Sequence, residues 1–131
     1  METFRVSTSS HTELIDITGK VRDAVRNTVV QDGLCVVFTP HTTAAITINE
    51  NADPSVQHDI NLKLNDVFDD DPRFRHAEGN SDAHNKSSAI GCSEQIIIDN
   101  GSLVLGTWQG IFFCEFDGPR TRKVHVQVLK S

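Results

Sequence analysis

Apolar and polar positions alternate along this chain with two different periods. Phe4 and Val6, each set between polar neighbours, carry the period of two expected of a first strand. From about Thr18, the residues Val21, Ala24, Val25, Thr28 and Val29 recur at helical spacing, and Gly33 stands where a C-terminal cap would end that helix. Residues 34–39 form a continuous β-branched run that Pro40 and His41 interrupt, and residues 43–49 resume it as a second strand. Asp53 before Pro54 supplies an N-cap and a first-turn proline. Val56, Ile60, Leu64 and Val67 then predict the buried face of a second helix.

Residues 69–81 lack periodicity, mix charges of both signs and contain Pro and Gly, so they predict a long loop of the kind that often carries function. Ser81 or Asp82 can cap a short helix running through His84, Lys86 and Ser87 and stopping at Gly91. Asn100–Gly101 between two apolar runs predicts a tight hairpin, because a type I′ turn needs positive φ at both central residues. A strand over 107–116 follows Gly106, a position suited to a bulge. Val124, Val126 and Val128 then alternate with Lys123, His125 and Gln127 in a strand buried on one face. These elements predict one α+β domain spanning residues 1–131, a mostly antiparallel sheet with helices packed on one face.

Composition narrows the function. The 131 residues are 37% hydrophobic but only 6% aromatic, with no Tyr, which points to an aliphatic core. Twelve basic residues against 18 acidic leave a net charge of −6. That balance speaks against a nucleic-acid surface, which needs clustered Lys and Arg, but not against a phosphate held locally. Cys35, Cys92 and Cys114 are widely spaced and form neither an even disulfide set nor a CxxC motif, so a reducing compartment is the simpler reading. Cys35 and Cys114 lie within apolar runs, as core residues or, less simply, catalytic thiols. With no basic leader and no run of about 18 apolar residues, the expectation is a cytoplasmic protein with no membrane partner.

Candidate chemistry concentrates between His41 and Arg120. His41, His76 and His84 fall in loops or at element ends, where three neutral imidazoles could hold a zinc-like ion and leave a position open; ordinary surface or capping histidines are the alternative. Glu50 lacks the capping role that explains Asp53. Glu115 sits in an otherwise apolar strand, where an ionised carboxylate must find a partner, Arg120 or Arg122, in an ion pair that is structural or functional. Lys86, Ser87 and Ser88 are expected in the first turns of the short helix. There the helix dipole favours an anion that Arg120 could share, unless they are a solvated face.

Several stretches together resemble the YjbQ family: HTTAAITINE from His41, NADPSVQHD from Asn51, RHAEGN from Arg75, HNKSS from His84 and GTWQGI from Gly106. The resemblance extends over nearly the whole chain, in order; at Glu115–Arg120 it is looser. It implies a small α/β domain assembled as a homotrimer, with a polar site near the subunit boundary and His41, His76 and His84 in one metal cluster. The implied cofactor is a divalent metal, zinc foremost, or magnesium with a diphosphate substrate. The implied activity is a thiamine-phosphate synthase, secondary in character, that joins a pyrimidine methyl diphosphate to a thiazole phosphate. Such chemistry needs cations around the leaving diphosphate and a surface tolerant of positive charge at the pyrimidine methylene. Lys86 and Arg120 are expectations for the first and the π face of Trp108 for the second, with core packing the alternative for Trp108. The candidate catalytic set is therefore Glu50, Lys86, Trp108 and Glu115. Phosphate would fall to Lys86, Ser87, Ser88 and Arg120, and metal to His41, His76 and His84. A metal-dependent transferase or hydrolase and a non-catalytic binder of a phosphorylated small molecule both remain open.

Overall fold

The computed structural model describes residues 1–131, arranged as eight strands and three helices. The chain runs β1 (Glu2–Ser7), β2 (Glu13–Asp16), α1 (Thr18–Arg26), β3 (Gly33–Phe38), β4 (Ala44–Glu50), α2 (Pro54–Val67) and α3 (Ser81–Ile90). It closes with β5 (Ser93–Asp99), β6 (Ser102–Leu103), β7 (Gln109–Glu115) and β8 (Thr121–Lys130). Every strand pairing is antiparallel.

The strands form two sheets rather than one, ordered β1-β8-β3-β5-β6 and β2-β7-β4. The reason lies in β7, which is buried at every position from Gly110 to Glu115 and so needs cover on both faces. Toward the five-stranded sheet, Ile111 and Phe113 join Val37, Ile46, Ile98, Val124 and Val126 in the main core, with Val21, Ala24 and Val25 of α1 closing one end. Fully burying one such side chain contributes about 1.5–3 kcal/mol. On the other face, Cys114 and Phe116 meet Ala45 and Ala83 beneath Leu64 and Ile90, so α2 and α3 cover the small sheet from outside.

The Asn100–Gly101 turn has φ of 51° and 79°, as the hairpin signal requires. Asp53 caps α2 by accepting the Ser55 N–H at 2.9 Å. Three local expectations are corrected. Gly33 does not cap α1, which ends at Arg26; it opens β3, where a Cβ would lie 2.0 Å from the Leu129 carbonyl oxygen of β8. Gly106 lies in a turn whose N–H donates to Gln109, not in a bulge. The apolar stripe of α2 buries no residue fully, and Val67 is 60% exposed. The strand at Glu13–Asp16 was not predicted, since its four residues are only half-buried at best. No helix is long and apolar enough to cross a membrane.

No helix lies on the outer face of the five-stranded sheet. By strand alternation, Leu34, Val36 and Phe38 stand on that face opposite Cys35 and Val37, beside the exposed Ile97 and Leu129.

Candidate functional site

Three segments meet at one end of the molecule: the β3–β4 connection, the approach to α3 with its first turn, and the β7–β8 turn with the start of β8. Between them lies a polar cavity of about 390 Å³, walled by His41 and Thr43 from the first, His76, Glu78, Asn80 and His84 from the second, and Asp117, Arg120 and Arg122 from the third. A second cavity of about 510 Å³ shares Pro40, His41, Thr42 and His84 with it and continues past Phe38, Ser88, Gly91 and Cys92.

The floor is set by Glu115 and Arg122. Arg122 Nε donates to Glu115 Oε1 at 2.9 Å, and Nη2 donates to Glu115 Oε2 and, at 2.9 Å, to Thr43 Oγ1. Glu115 also accepts from the Thr8 hydroxyl at 2.8 Å and the Asp117 N–H at 3.0 Å, so both oxygens are saturated. Burial pushes this carboxyl up, but the hydrogen bonds from Arg122, Asp117 and Thr8 and the guanidinium charge outweigh it and hold the group below its ordinary value. Gly118 makes the close turn above the pair possible, since a Cβ there would meet Ser10 O at 2.4 Å and Glu115 Cγ at 2.8 Å.

The rim is organised by Asp117, whose Oδ2 accepts from Asn80 Nδ2 at 2.8 Å and from Arg120 Nη2 at 3.0 Å. Asn80 Oδ1 is buried without a partner. His41 Nε2 accepts the Lys123 N–H at 2.9 Å. Burial, then Arg122, lower the His41 pKa, with Arg120 and Lys123 adding to this against an opposing pull from Glu115, so the ring is neutral and its proton sits on Nδ1. His76 and His84 meet edge to face with ring centroids 5.4 Å apart, and Glu78 lies 4.0 Å from His76 Nε2. Nowhere do three His, Cys, Asp or Glu side chains converge closely enough to hold one ion as placed.

The remaining candidates lie elsewhere. Lys86, the sixth residue of α3, is 2% exposed and turns away from both cavities to donate to Asn65 Oδ1 at 2.7 Å over the Phe116 ring. Ser87 lines the second cavity, but its hydroxyl donates to the Ala44 carbonyl at 2.7 Å; Ser88 lines the same cavity and is exposed. The expected phosphate cluster is therefore dispersed, and only Arg120 of it reaches the polar cavity. Glu50 ends β4, six residues from the cavity end and about 20 Å along the strand. Trp108 is beside it, its carbonyl accepting the Asn51 N–H, and at 63% exposure it is neither core nor cavity wall. Cys35 and Cys114 are buried thiols pushed up to about 11 and about 12, which removes both as nucleophiles.

Sequence reasoning placed Arg122 only as one of two partners for Glu115 and passed over Asn80 and Asp117. For Arg122 the signal was present: two residues before Val124, it shares the buried parity of β8, and an inward arginine needs a reason.

The fold and cavity define a small two-sheet α+β protein with a histidine- and arginine-lined site between its loops. The chain belongs to the YjbQ family: it matches the family described as UPF0047 protein YjbQ-like over residues 2–131. It is 53% identical over 126 residues to a UPF0047 protein of Methanocaldococcus jannaschii, covering 96% of this chain and 91% of the relative. It is 46% identical to YugU of Bacillus subtilis, covering 98% of both. An uncharacterised YjbQ/UPF0047 protein of Clostridium acetobutylicum superposes with TM-score 0.96 at 55% identity, covering 98% of this chain and all of that one. A protein of unknown function from Sulfolobus solfataricus superposes with TM-score 0.95 at 34% identity, covering 99% and 96%.

Proposed function

We propose that the polar cavity binds a phosphorylated small molecule and supports metal-assisted group transfer on it, with thiamine-phosphate synthesis from the two phosphorylated precursors as a secondary activity. The observation carrying this reading is that three histidines and two arginines from three separate chain segments wall a single cavity. His76 and His84, near each other and beside Glu78, are the donors best placed to hold a divalent zinc or magnesium ion. Such an ion would supply charge neutralisation at a leaving diphosphate. His41, with Nε2 engaged by Lys123, offers an Nδ1–H donor rather than a metal lone pair, which revises its expected role as ligand. Arg120, held by Asp117 at the rim, is positioned to meet a ligand oxygen.

The assay is formation of thiamine phosphate, beside a panel of simple phosphate esters, with and without chelator. Chelation and His84→Ala are each expected to lower the maximal rate. Turnover that survives complete metal removal rules out the metal-assisted reading. Phosphate binding without turnover of any substrate establishes the binding module instead.

We further propose assembly as a homotrimer through the uncovered outer face of the five-stranded sheet. Phe38 belongs both to that face and to the second cavity, so assembly there would set a neighbouring subunit beside the site. Light scattering at micromolar concentration should give three times the chain mass of 14.5 kDa; a stable monomer would discard this arrangement.

A further inference from the structure

Arg122 is 2% exposed, and yet its guanidinium is not fully used. Nε and Nη2 are taken by Glu115 and Thr43, while Nη1 makes no hydrogen bond within the chain. Nη1 is also absent from the buried, unpartnered polar atoms, which are only Asn61 Oδ1 and Asn80 Oδ1, and Arg122 walls the polar cavity. The nitrogen is thus reachable from the cavity, and nothing in the chain accepts its two N–H donors. A charged donor that opens onto a cavity and meets no group of its own chain is free to take a ligand, and an ionised acceptor gives it the strongest hydrogen bond.

Beside it, neutral His41 has its proton on Nδ1, which brings the unsatisfied donors at this wall to three. Arg120 is a different kind of group: it is half-exposed and reaches the cavity from the rim. The adjoining cavity, past Phe38, Ser88, Gly91 and Cys92, carries no charged wall beyond the histidines it shares. The two cavities therefore differ in what they can hold, charge in one and an uncharged body in the other.

We infer that Arg122 Nη1 is the anchor of an oxyanion site, taking the terminal oxygens of a phosphate monoester whose uncharged body extends past His41 and His84 into the second cavity. This deepens the reading of the site as one for a phosphorylated ligand, and rests on it. Both arginines are already compensated, Arg122 by Glu115 and Arg120 by Asp117, so recognition comes from fixed directional donors rather than from a positive field. Binding should accordingly depend only weakly on salt, unlike attraction to an uncompensated basic patch.

The probe is inorganic phosphate, with chloride as control, titrated by calorimetry into the full chain at two ionic strengths. Arg122→Lys keeps the charge but loses the fork that Glu115 fixes. It is expected to weaken phosphate binding at least about tenfold, the loss of one charge-assisted hydrogen bond, while Arg120→Gln weakens it less than about threefold. The intact protein gives a second measurement that needs no stable variant. Phosphate should shift the Arg122 side-chain N–H resonances, protected by burial, more than those of Arg120. Phosphate that binds with equal strength to folded Arg122→Lys, or that shifts only Arg120, overturns the inference while leaving a phosphate site in place. A wild-type chain that binds no phosphate overturns both.

Discussion

Two cations are buried in this small fold, and they are treated in opposite ways. Arg122 meets a carboxylate that is itself saturated by four donors, where β7 of one sheet turns into β8 of the other. Lys86, equally hidden, meets only the amide oxygen of Asn65 and the face of Phe116, while Asp82 and Asp69 act on it from a distance. For Arg122 the charge is balanced at contact and one nitrogen, Nη1, remains for the cavity. For Lys86, burial lowers the pKa, and the two aspartates offset this only in part. The comparison separates a buried charge whose removal leaves an uncompensated partner from one whose removal leaves only a neutral amide.

The largest effect is expected on the Glu115 side. Glu115→Ala would strand the Arg122 guanidinium without its counter-ion and should destabilise the fold by about 3–5 kcal/mol, read as a lower midpoint in urea. Replacing both members by methionine should cost much less, because no charge is then left behind. If the double variant were as damaged as Glu115→Ala, the loss would be one of shape and not of charge. The pair also sets an acid limit. Glu115 titrates below its ordinary value of 4.5 in the fold, so its contribution is fully present above that pH and is lost as pH falls through the lower folded value.

The difference between these two cations also shows what the sequence could convey. The Asn100–Gly101 turn, the Asp53 cap and the alternation of β8 were legible because each follows from neighbouring residues, whereas Gly33 was misjudged because what it needs is room beside Leu129 of another strand. The division into two sheets was not legible either, because only the tertiary cover of β7 reveals that both of its faces are buried. At the site, His41, His76 and His84, from two of its three segments, line one cavity. Lys86 was misread because, even with the expected start near Ser81, it lies beyond the free N–H groups of the first turn, and its side chain turns toward Asn65 of α2. Glu50 was drawn in because it lacked a capping role and Trp108 because of its π face in a stretch the family shares, and their place at the far end of β4 and before β7 removes them from the cavity. Glu115 needed a partner on any reading, but which arginine supplied it depended on the parity of β8 beyond the turn.

Lys86→Met should give the smallest change of these, within about 1 kcal/mol of the parent in either direction at neutral pH. The substitution gives up one hydrogen bond and a cation–π contact, worth about 1–3 kcal/mol together, but it also removes the cost of burying an ammonium group and keeps an unbranched apolar stem in place. The two buried sites also differ in how they respond to pH. Because the folded pKa of Lys86 lies below its ordinary value of 10.5, the unfolded chain binds the proton more tightly, and the penalty is fully present below the folded value. Stability should therefore gain from this group as pH rises through the folded value toward 10.5, and that alkaline gain should vanish in Lys86→Met. Urea midpoints measured for both proteins from pH 7 upward decide it. Parallel curves would mean that Asn65, Phe116 and the two aspartates compensate the charge as completely as Glu115 compensates Arg122, and the distinction between the two buried cations would collapse.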